Sequence, residues 1–562
     1  MPMKINYGAS LFLLCLGLFA VFFILPLVYL FLMAFLDSGQ NFVGFENFRT
    51  HIFQTHIFDA LKNTLIVSLS STMIGVSAAL FCAYTLLRTG VGLKNFIHNA
   101  ALLPLFVPSM MYGLGLVYLF GNKGILTTIL LEPLNLSFSI YGAVGIIIAQ
   151  SICVFPQSFI LLYLALKSSD FRLYEQAKIM GISPIKQFFH LTLPSIKFAL
   201  SSALLLSFIL CFTDFGIPVV IGGNYMVLSV ELYKQIVGQQ NLNLGASIGI
   251  ILLLPSLLSF FLLRRIEKNN QQELSPKATP YKINPNALRD RIGTAALFVI
   301  LSLQLAVLLA VFLASIIKSY PYDLSLTLSH FNIQSNIDGL GTLKNSLYIS
   351  FATALWGTIF SFIFVYCNEI LIRSSLLKNA ANFFMILPTA VPGLVLGIAY
   401  VLFFNQLDFK IGENLYLHNS FYALYGSFAL IVLCNIMHFF SVPALSIKEA
   451  FMKIDKELGA MGKILGLSAF SMLKRVYFPL CLPAILESFI YYFLNAMVTI
   501  SAVIFIYTSS NKVAAITIVH LDEKGFIEEA AALSILIVCI NLIVKFTFNK
   551  IKNLSYKKFH IC

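Results

Sequence analysis

Charge is scarce in this sequence, and the usual signatures of catalysis are missing. Only 11% of the 562 residues are charged and 59% are hydrophobic, whereas about a quarter of a soluble domain is charged. The sequence contains no G-x-x-x-x-G-K-[ST] phosphate loop, no C-x-x-C pair and no His or Cys cluster with metal-ligand spacing. No Ser/His/Asp or paired-carboxylate arrangement stands out either. These absences argue against an enzyme, an ATP-binding subunit or a metal centre, and we expect no cofactor.

The composition that remains is that of a membrane protein. A transmembrane helix needs about 20 apolar residues, and the sequence contains about twelve such runs in two sets of six. The first run is too long for a signal peptide, so we interpret it as an uncleaved span. The predicted fold class is an all-α polytopic membrane protein with spans at 8–36, 61–88, 96–120, 140–166, 197–220, 246–264, 292–318, 345–372, 380–405, 421–446, 484–508 and 529–548.

The basic residues predict how these spans are oriented. The net charge is +13, and most Lys and Arg lie in loops on one side of the bilayer, which marks that side as cytoplasmic. Both chain termini are then cytoplasmic. Because topology explains the positive charge, we expect membrane lipid and no nucleic acid as a partner.

Internal repetition divides the chain into two halves. Residues 61–65 (LKNTL) match 343–347 (LKNSL), and LPLFVPSMMYGLG from Leu103 matches LPTAVPGLVLGIA from Leu387. Matching helices enter the membrane from the same side, so the halves are parallel and a pathway lies between them. The predicted units are a first helix with its outer loop (1–60), a first transmembrane domain (61–263), a proline-punctuated cytoplasmic linker (264–291), a seventh helix with its outer loop (292–342), a second transmembrane domain (343–548) and a cytoplasmic tail (549–562).

Prolines interrupt one helix of each half at matching depths. Pro108 in the first half corresponds to Pro392 in the second. One interpretation is a kink that is tolerated because neighbouring groups satisfy the freed carbonyls. The other is a bend that shapes the inner faces of the pathway, and both can hold together.

Two polar inserts, residues 175–194 and 460–479, interrupt the apolar pattern at matching places. Gly181 and Pro194 have the same spacing as Gly466 and Pro479. The mixture of apolar, Lys and His residues in the first insert predicts an amphipathic helix, a glycine turn and a second helix that stops near the proline. Such a hairpin exposes apolar side chains to the cytoplasm, and exposed apolar patches mark partner-binding surfaces.

The first insert resembles the EAA signature of ABC importer membrane subunits. The resemblance rests on the residues Glu175-Gln176-Ala177, then Gly181 after a gap of three, then Leu191-x-Leu193-Pro194 after a gap of nine. It implies the type I ABC importer fold, a bacterial inner membrane location, and a coupling helix that docks into a groove of a separate ATPase subunit. It also implies a pair of identical ABC ATPase subunits and an extracytoplasmic solute-binding protein as partners.

The second insert departs from this signature. Ala460 stands in place of the glutamate, and Phe478-Pro479 stands in place of Leu-Pro. Glu457, one turn upstream, is a candidate replacement for the missing carboxylate. We expect docking through Gly466 and the helix shape, with the two halves holding their ATPases unequally.

Ionisable side chains at membrane depth are costly and often functional. Asp214 is the first candidate, as a polar group near the outer mouth of the pathway. The alternatives for Asp214 are a carboxylate at headgroup level or the cap of a short helix. Glu487, His438 and Glu369 are interpreted as interfacial or hydrogen-bonded structural groups.

The cargo is predicted from resemblance in the loops. Residues 213–254 and the stretch ISAVIFIYTSSNKVAAITIVHLDEKG resemble permeases for 2-aminoethylphosphonate, and ferric-iron permeases share the architecture. The predicted function is a permease subunit of an ATP-driven importer for 2-aminoethylphosphonate, with ferric iron as the alternative. An ion-coupled secondary transporter is a rival of another class, since it can also have twelve helices in parallel halves. That rival predicts titratable residues in the core and gives no reason for two matched cytoplasmic hairpins.

Overall fold

Helices build almost all of the part of the chain that the structure describes. The computed structural model describes residues 7–37, 41–51, 56–136, 138–270, 279, 281–284, 286–332, 338–372, 374–411 and 415–559. Within these ranges, eight helices are long and apolar enough to cross a membrane, and four bent pairs bring the number of spans to as many as twelve. The predicted fold class is confirmed.

The long helices fall into two sets in chain order. The first set consists of Tyr7–Phe19 with Leu25–Ala34, His56–Arg88, Lys94–Leu102 with Ser109–Phe120, Ala143–Lys167, Lys197–Phe212 and Leu242–Asn270. The second set consists of Ala287–Ile316, Gly339–Tyr366, Ser375–Ile386 with Gly393–Phe404, Phe428–Phe439 with Ser441–Met452, Phe478–Val498 and Ile527–Phe559. Shorter elements in the loops are the helices Glu46–His51, Gly216–Ile221, Leu228–Tyr233 and Ala514–Glu523 and the antiparallel strand pairs Ile317–Ser319 with Asp323–Leu326 and Asp408–Ile411 with Leu415–His418.

The matched prolines break the third and ninth spans in the same way. Each span bends by 103° just before its second helix, Ser109–Phe120 or Gly393–Phe404. Pro cannot donate a backbone hydrogen bond, and its ring excludes the preceding helical carbonyl. In the first half, the Tyr112 hydroxyl donates to the Pro104 carbonyl at 2.7 Å, so one freed carbonyl is satisfied inside the protein. The third and ninth spans are therefore each divided into two helices, and are not merely kinked.

The first helix of each set packs against the other half. The Tyr400 hydroxyl of the ninth span donates to the Phe22 carbonyl of the first span at 2.6 Å, and the Phe19 and Phe440 ring centroids lie 5.6 Å apart. In turn, the seventh span passes so close to the third that a Cβ on Gly115 would lie 2.5 Å from the Val307 carbonyl oxygen. Each half is therefore completed by a helix from the other.

Several predicted boundaries differ from the structure. The fifth span ends at Phe212, not near 220, and the eleventh ends at Val498, not near 508. Polar residues and turns follow each of these ends, so apolar composition alone had overextended both helices. The linker predicted at 264–291 is shorter, because the sixth span continues to Asn270 and the next helix begins at Ala287. The predicted tail is helical as far as Phe559.

The close approach at Gly115 predicts a stability effect. In Gly115→Ala, the added methyl group meets backbone of the seventh span, so we expect a loss of about 1–3 kcal/mol and a lower melting temperature in detergent. Gly17→Ala is the matched control, because nothing lies within 4 Å of its Cβ position and alanine favours the helix. Equal melting temperatures for the two variants would contradict this packing.

Candidate coupling inserts and translocation cavity

An aspartate caps the first helix of each insert. These helices are Phe171–Ile179 and Lys456–Ile464. Asp170 Oδ1 accepts from the Arg172 N–H at 3.0 Å, and Asp455 Oδ1 accepts from the Glu457 N–H at 2.9 Å. The Arg172 guanidinium also holds the pKa of the Asp170 carboxyl well below its usual value, so this cap stays ionised. Sequence reasoning missed both caps, although each Asp lies eleven residues before the glycine of its insert.

The glycine of each insert ends the first helix in the left-handed conformation. Gly181 has φ +72° and Gly466 has φ +68°. Beyond them, the Ile182 N–H donates to the Ala177 carbonyl, and the Leu467 N–H donates to the Gly462 carbonyl, both at 2.9 Å. This is the hydrogen-bond pattern of a Schellman motif. The predicted glycine turn is confirmed in both copies.

The turn presents matched apolar side chains to solvent. Ile179 is 86% exposed and Ile464, at the same position of the second insert, is 84% exposed. The same holds for the pairs Met180 with Leu465 and Ile185 with Phe470. Soluble surfaces rarely carry such clusters without a partner. The two inserts therefore expose two similar apolar surfaces.

The residues of the EAA signature divide between the exposed and the buried face of the first insert. Glu175 and Gln176 are exposed, whereas Ala177 is buried. In the second insert Gly462 replaces this alanine, and a Cβ there would lie 2.2 Å from Met472 Sδ. Both copies therefore have a small, buried residue at this position. Glu457 is exposed on the same helix, and the side chain of Ala460 lies outside the described residues.

The two inserts join the membrane differently. The second helix of the first insert consists of Pro184–Gln187, a π-helical turn Phe188–Thr192 and Leu193–Ser195, and it meets the fifth span at a bend of 71°. Leu193 is partly buried and Pro194 is exposed. The helix therefore stops near the proline as predicted.

The second insert has no such bend. Its second helix consists of Ala469–Met472 and a π-helical turn Leu473–Tyr477, and it runs on through Phe478 and Pro479 as part of one span from Phe470 to Val498. Pro479 does not stop this helix and lies directly after the π-helical turn, in the first turn of Phe478–Val498.

A cavity of about 690 Å³ lies between the halves, where the broken helices meet. It is lined by Pro104, Pro388 and Pro392, by Thr213 and Asp214 after the fifth span, and by residues 499–501 after the eleventh. Pro392 therefore lines the cavity as predicted. Pro108 is absent from the lining and instead precedes the helix Ser109–Phe120.

Asp214 lines the cavity two residues before the short helix Gly216–Ile221. Its carboxylate faces the start of this helix, and Gln150 Nε2 donates to Oδ2 at 3.4 Å. The Ser229 hydroxyl donates to the Asp214 carbonyl at 2.6 Å. Asp214 is therefore a polar group that faces the cavity, and its role on a pathway stays a prediction.

The remaining intramembrane candidates have different surroundings. Glu487 pairs with Lys552, and Glu369 Oε1 accepts from Asn368 Nδ2 at 2.9 Å, as expected for structural groups. His438 lines the cavity, and its Nδ1 has no hydrogen-bond partner among the described residues. The hydrogen bond predicted for His438 is therefore not found at Nδ1. No Lys or Arg is present among the described residues that line the cavity.

Two matched exposed apolar surfaces and a cavity between two repeats are the features expected of a membrane transport subunit. The chain matches, over residues 71–271 and 365–555, the family described as binding-protein-dependent transport system inner membrane component. It belongs to this family and is the permease subunit of an ABC importer, not an enzyme. Family membership implies an ATPase and a solute-binding protein as partners and decides against an ion-coupled secondary transporter.

Relatives match either the whole chain or one half. The ferric transport system permease protein FbpB of Actinobacillus pleuropneumoniae is 28% identical, covering 97% of this chain and 78% of the relative. The Fe(3+)-transport system permease protein FbpB 2 of Haemophilus influenzae is 23% identical, covering 95% of each chain. The molybdenum transport system permease protein ModB of Haemophilus influenzae is 26% identical over 38% of this chain and 95% of its own length. Because nearly all of the last relative aligns with less than half of this chain, the match is consistent with a duplicated permease.

The left-handed glycine predicts a coupling variant. In Gly181→Ala, the Cβ meets nothing within 4 Å, so the cost is backbone strain of about 1–2 kcal/mol. We expect the turn to open and retention of the ATPase in co-purification to fall about tenfold. Gly92→Ala, in open space with an ordinary φ, is the control. Undiminished retention in Gly181→Ala would show that the turn is unimportant for docking.

Proposed function

We propose that each insert docks on one ABC ATPase subunit of an identical pair, on the cytoplasmic side, where both chain termini also lie. The matched exposed side chains, Ile179 with Ile464 above all, carry this proposal because an identical pair offers the same groove twice. Exposed Glu175 and Gln176 add polar contacts in the first half. Glu457 takes the place of the missing glutamate in the second half.

The inserts are connected directly to the cavity. The first insert leads into Lys197–Phe212, which ends two residues before Asp214. The second leads into Phe478–Val498, which ends beside Thr499. Movement of the inserts when the ATPases close therefore tilts two helices whose far ends line the cavity, and the cavity turns outward to receive cargo from the solute-binding protein. ATP binding and hydrolysis shift the population between these two states.

We propose ferric iron as the cargo. Two relatives that cover nearly all of this chain have ferric transport in their names. The cavity adds chemical support, because Asp214 supplies a carboxylate oxygen and His438 an imidazole nitrogen, both common iron ligands. The absence of Lys and Arg among the described lining residues also favours a cationic cargo.

2-Aminoethylphosphonate is the second candidate. The resemblance of residues 213–254 to permeases for this compound favours it, and its ammonium group could pair with Asp214. Its phosphonate would meet no positive side chain among the described lining residues, whereas proteins normally bind such groups with Arg, Lys or helix N-termini.

The two cargoes are separated by uptake in a strain that lacks this gene and is complemented with it. We expect uptake of labelled ferric iron and not of labelled 2-aminoethylphosphonate. In Asp214→Asn, which removes the negative charge facing the cavity, we expect iron uptake to fall about tenfold with unchanged assembly. Asp59→Asn, an exposed carboxylate outside the cavity, is the control. Uptake of the phosphonate alone would reverse the assignment.

The orientation is tested by cysteine labelling of intact cells. Lys178→Cys lies on the exposed face of the first insert, so a membrane-impermeant maleimide should not reach it before lysis. Leu324→Cys, on the exposed strand Asp323–Leu326, should be labelled at once. The reverse pattern would overturn the topology.

A further inference from the structure

The central linker contacts the first insert through its backbone and a hydroxyl group. Thr279 Oγ1 donates to Asp170 Oδ1 at 2.9 Å, and the Thr279 N–H lies 3.4 Å from the same oxygen. In return, the Phe171 N–H donates to the Thr279 carbonyl at 3.0 Å. Three hydrogen bonds therefore attach the linker to the capped end of the insert helix.

Two residues further on, Tyr281 places its ring in an aromatic cluster under the same helix. Its ring centroid lies 5.1 Å from that of Phe171 and 5.2 Å from that of Tyr174. The guanidinium carbon of Arg88, at the end of the second span, lies 3.9 Å from the Tyr281 centroid and 4.9 Å from the Tyr174 centroid. The insert helix, the linker and the second span thus each contribute side chains to one cluster.

Arg88 depends on these rings. It is buried, and its Nη2 donates to the Leu166 carbonyl and to the Ser169 hydroxyl. Its Nε and Nη1 have no hydrogen-bond partner among the described residues. A desolvated guanidinium over an aromatic face gains more than an exposed one, so the two tyrosine rings stabilise the buried charge. The linker thus supplies one of the two rings, Tyr281, that stabilise the Arg88 guanidinium.

The second insert lacks the residues that would make such a cluster. Counted back from its glycine, Lys456 stands where the first insert has Phe171, and Gly459 stands where it has Tyr174. The capping aspartate is kept, as Asp455. Both inserts therefore have a capped helix, whereas only the first insert has the two aromatic residues, Phe171 and Tyr174, that contact a linker residue.

We propose that Thr279 and Tyr281 are positioning residues for ATPase coupling: the linker stays docked on the first insert throughout the cycle and fixes it to the second span. The proposal rests on the role of the insert in ATPase docking given above. The linker then transmits force, because movement of the first insert is carried into the membrane helices through Arg88 and Tyr281 as well as through the bend at Ile196. The second insert continues into its span without a bend, so it does not need a second connection to the membrane helices.

The first test compares Tyr281→Ala with Tyr281→Phe in the complete transporter. Losing the ring should lower uptake at least about fivefold while ATPase retention and ATP hydrolysis stay within about twofold, so that more ATP is consumed per molecule transported. Tyr281→Phe keeps the ring and should behave as the unmodified chain, as should the exposed neighbour variant Lys282→Ala. An unchanged ratio of hydrolysis to uptake in Tyr281→Ala overturns the proposal.

The second test does not depend on removing a ring. Asp170→Cys combined with Thr279→Cys should form a disulfide in membranes, and uptake by this variant should be at least as high in its oxidised form as in its reduced form, because the contact is permanent. Failure to cross-link, or uptake that stops on cross-linking and returns on reduction, overturns permanent docking. If Gly181→Ala leaves ATPase retention intact, the docking role of the insert fails instead, so the two proposals fail separately.

Discussion

A helix can break at membrane depth only where protein or a water-lined cavity satisfies the backbone groups that the break frees. This chain breaks its helices at Val107–Pro108 and Val391–Pro392 and ends two more at Phe212 and Val498. Residues at all four places line one cavity between the halves. The freed groups are covered locally, as where the Pro104 carbonyl accepts from the Tyr112 hydroxyl. The cavity thus lies where these four interruptions come together.

The same arrangement explains how a protein without an ATP site can respond to ATP. Each insert is a capped helix that ends in a left-handed glycine, which holds large apolar side chains in solvent. Each insert continues into a helix that ends at the cavity. In the proposed mechanism, each insert therefore connects a docking surface to a helix that ends at the cavity, where a change of tilt alters which side chains face the cavity. The first span packs against the second half and the seventh span packs against the first half. Movement of one half is therefore passed on to the other.

Much of this could be predicted from the sequence, because it depends on local chemistry. Apolar run length gave the number of spans, proline pairs located the breaks, and Gly181 with Gly466 located the turns. Helix ends were predicted least well, since the turns after Phe212 and Val498 contain only a few polar residues within a sequence that is otherwise apolar. Contacts between distant parts of the chain could not be predicted, because sequence periodicity carries no information about them. Examples are the packing of the first and seventh spans against the opposite halves, the position of His438 in the cavity and the contact of Tyr281 with Arg88. The caps at Asp170 and Asp455 were readable from spacing and were overlooked.

The most direct test of the account is cross-linking of the two inserts to the ATPase subunits. Ile179→Cys and Ile464→Cys place a thiol on the most exposed apolar position of each insert, and Leu324→Cys on the outer strand is the control. The account predicts a cross-link to the ATPase from both inserts, at least as strong from the first, and none from Leu324→Cys. Cross-linking from neither insert, or from one insert alone, would contradict the claim that the chain is driven through two matched docking surfaces.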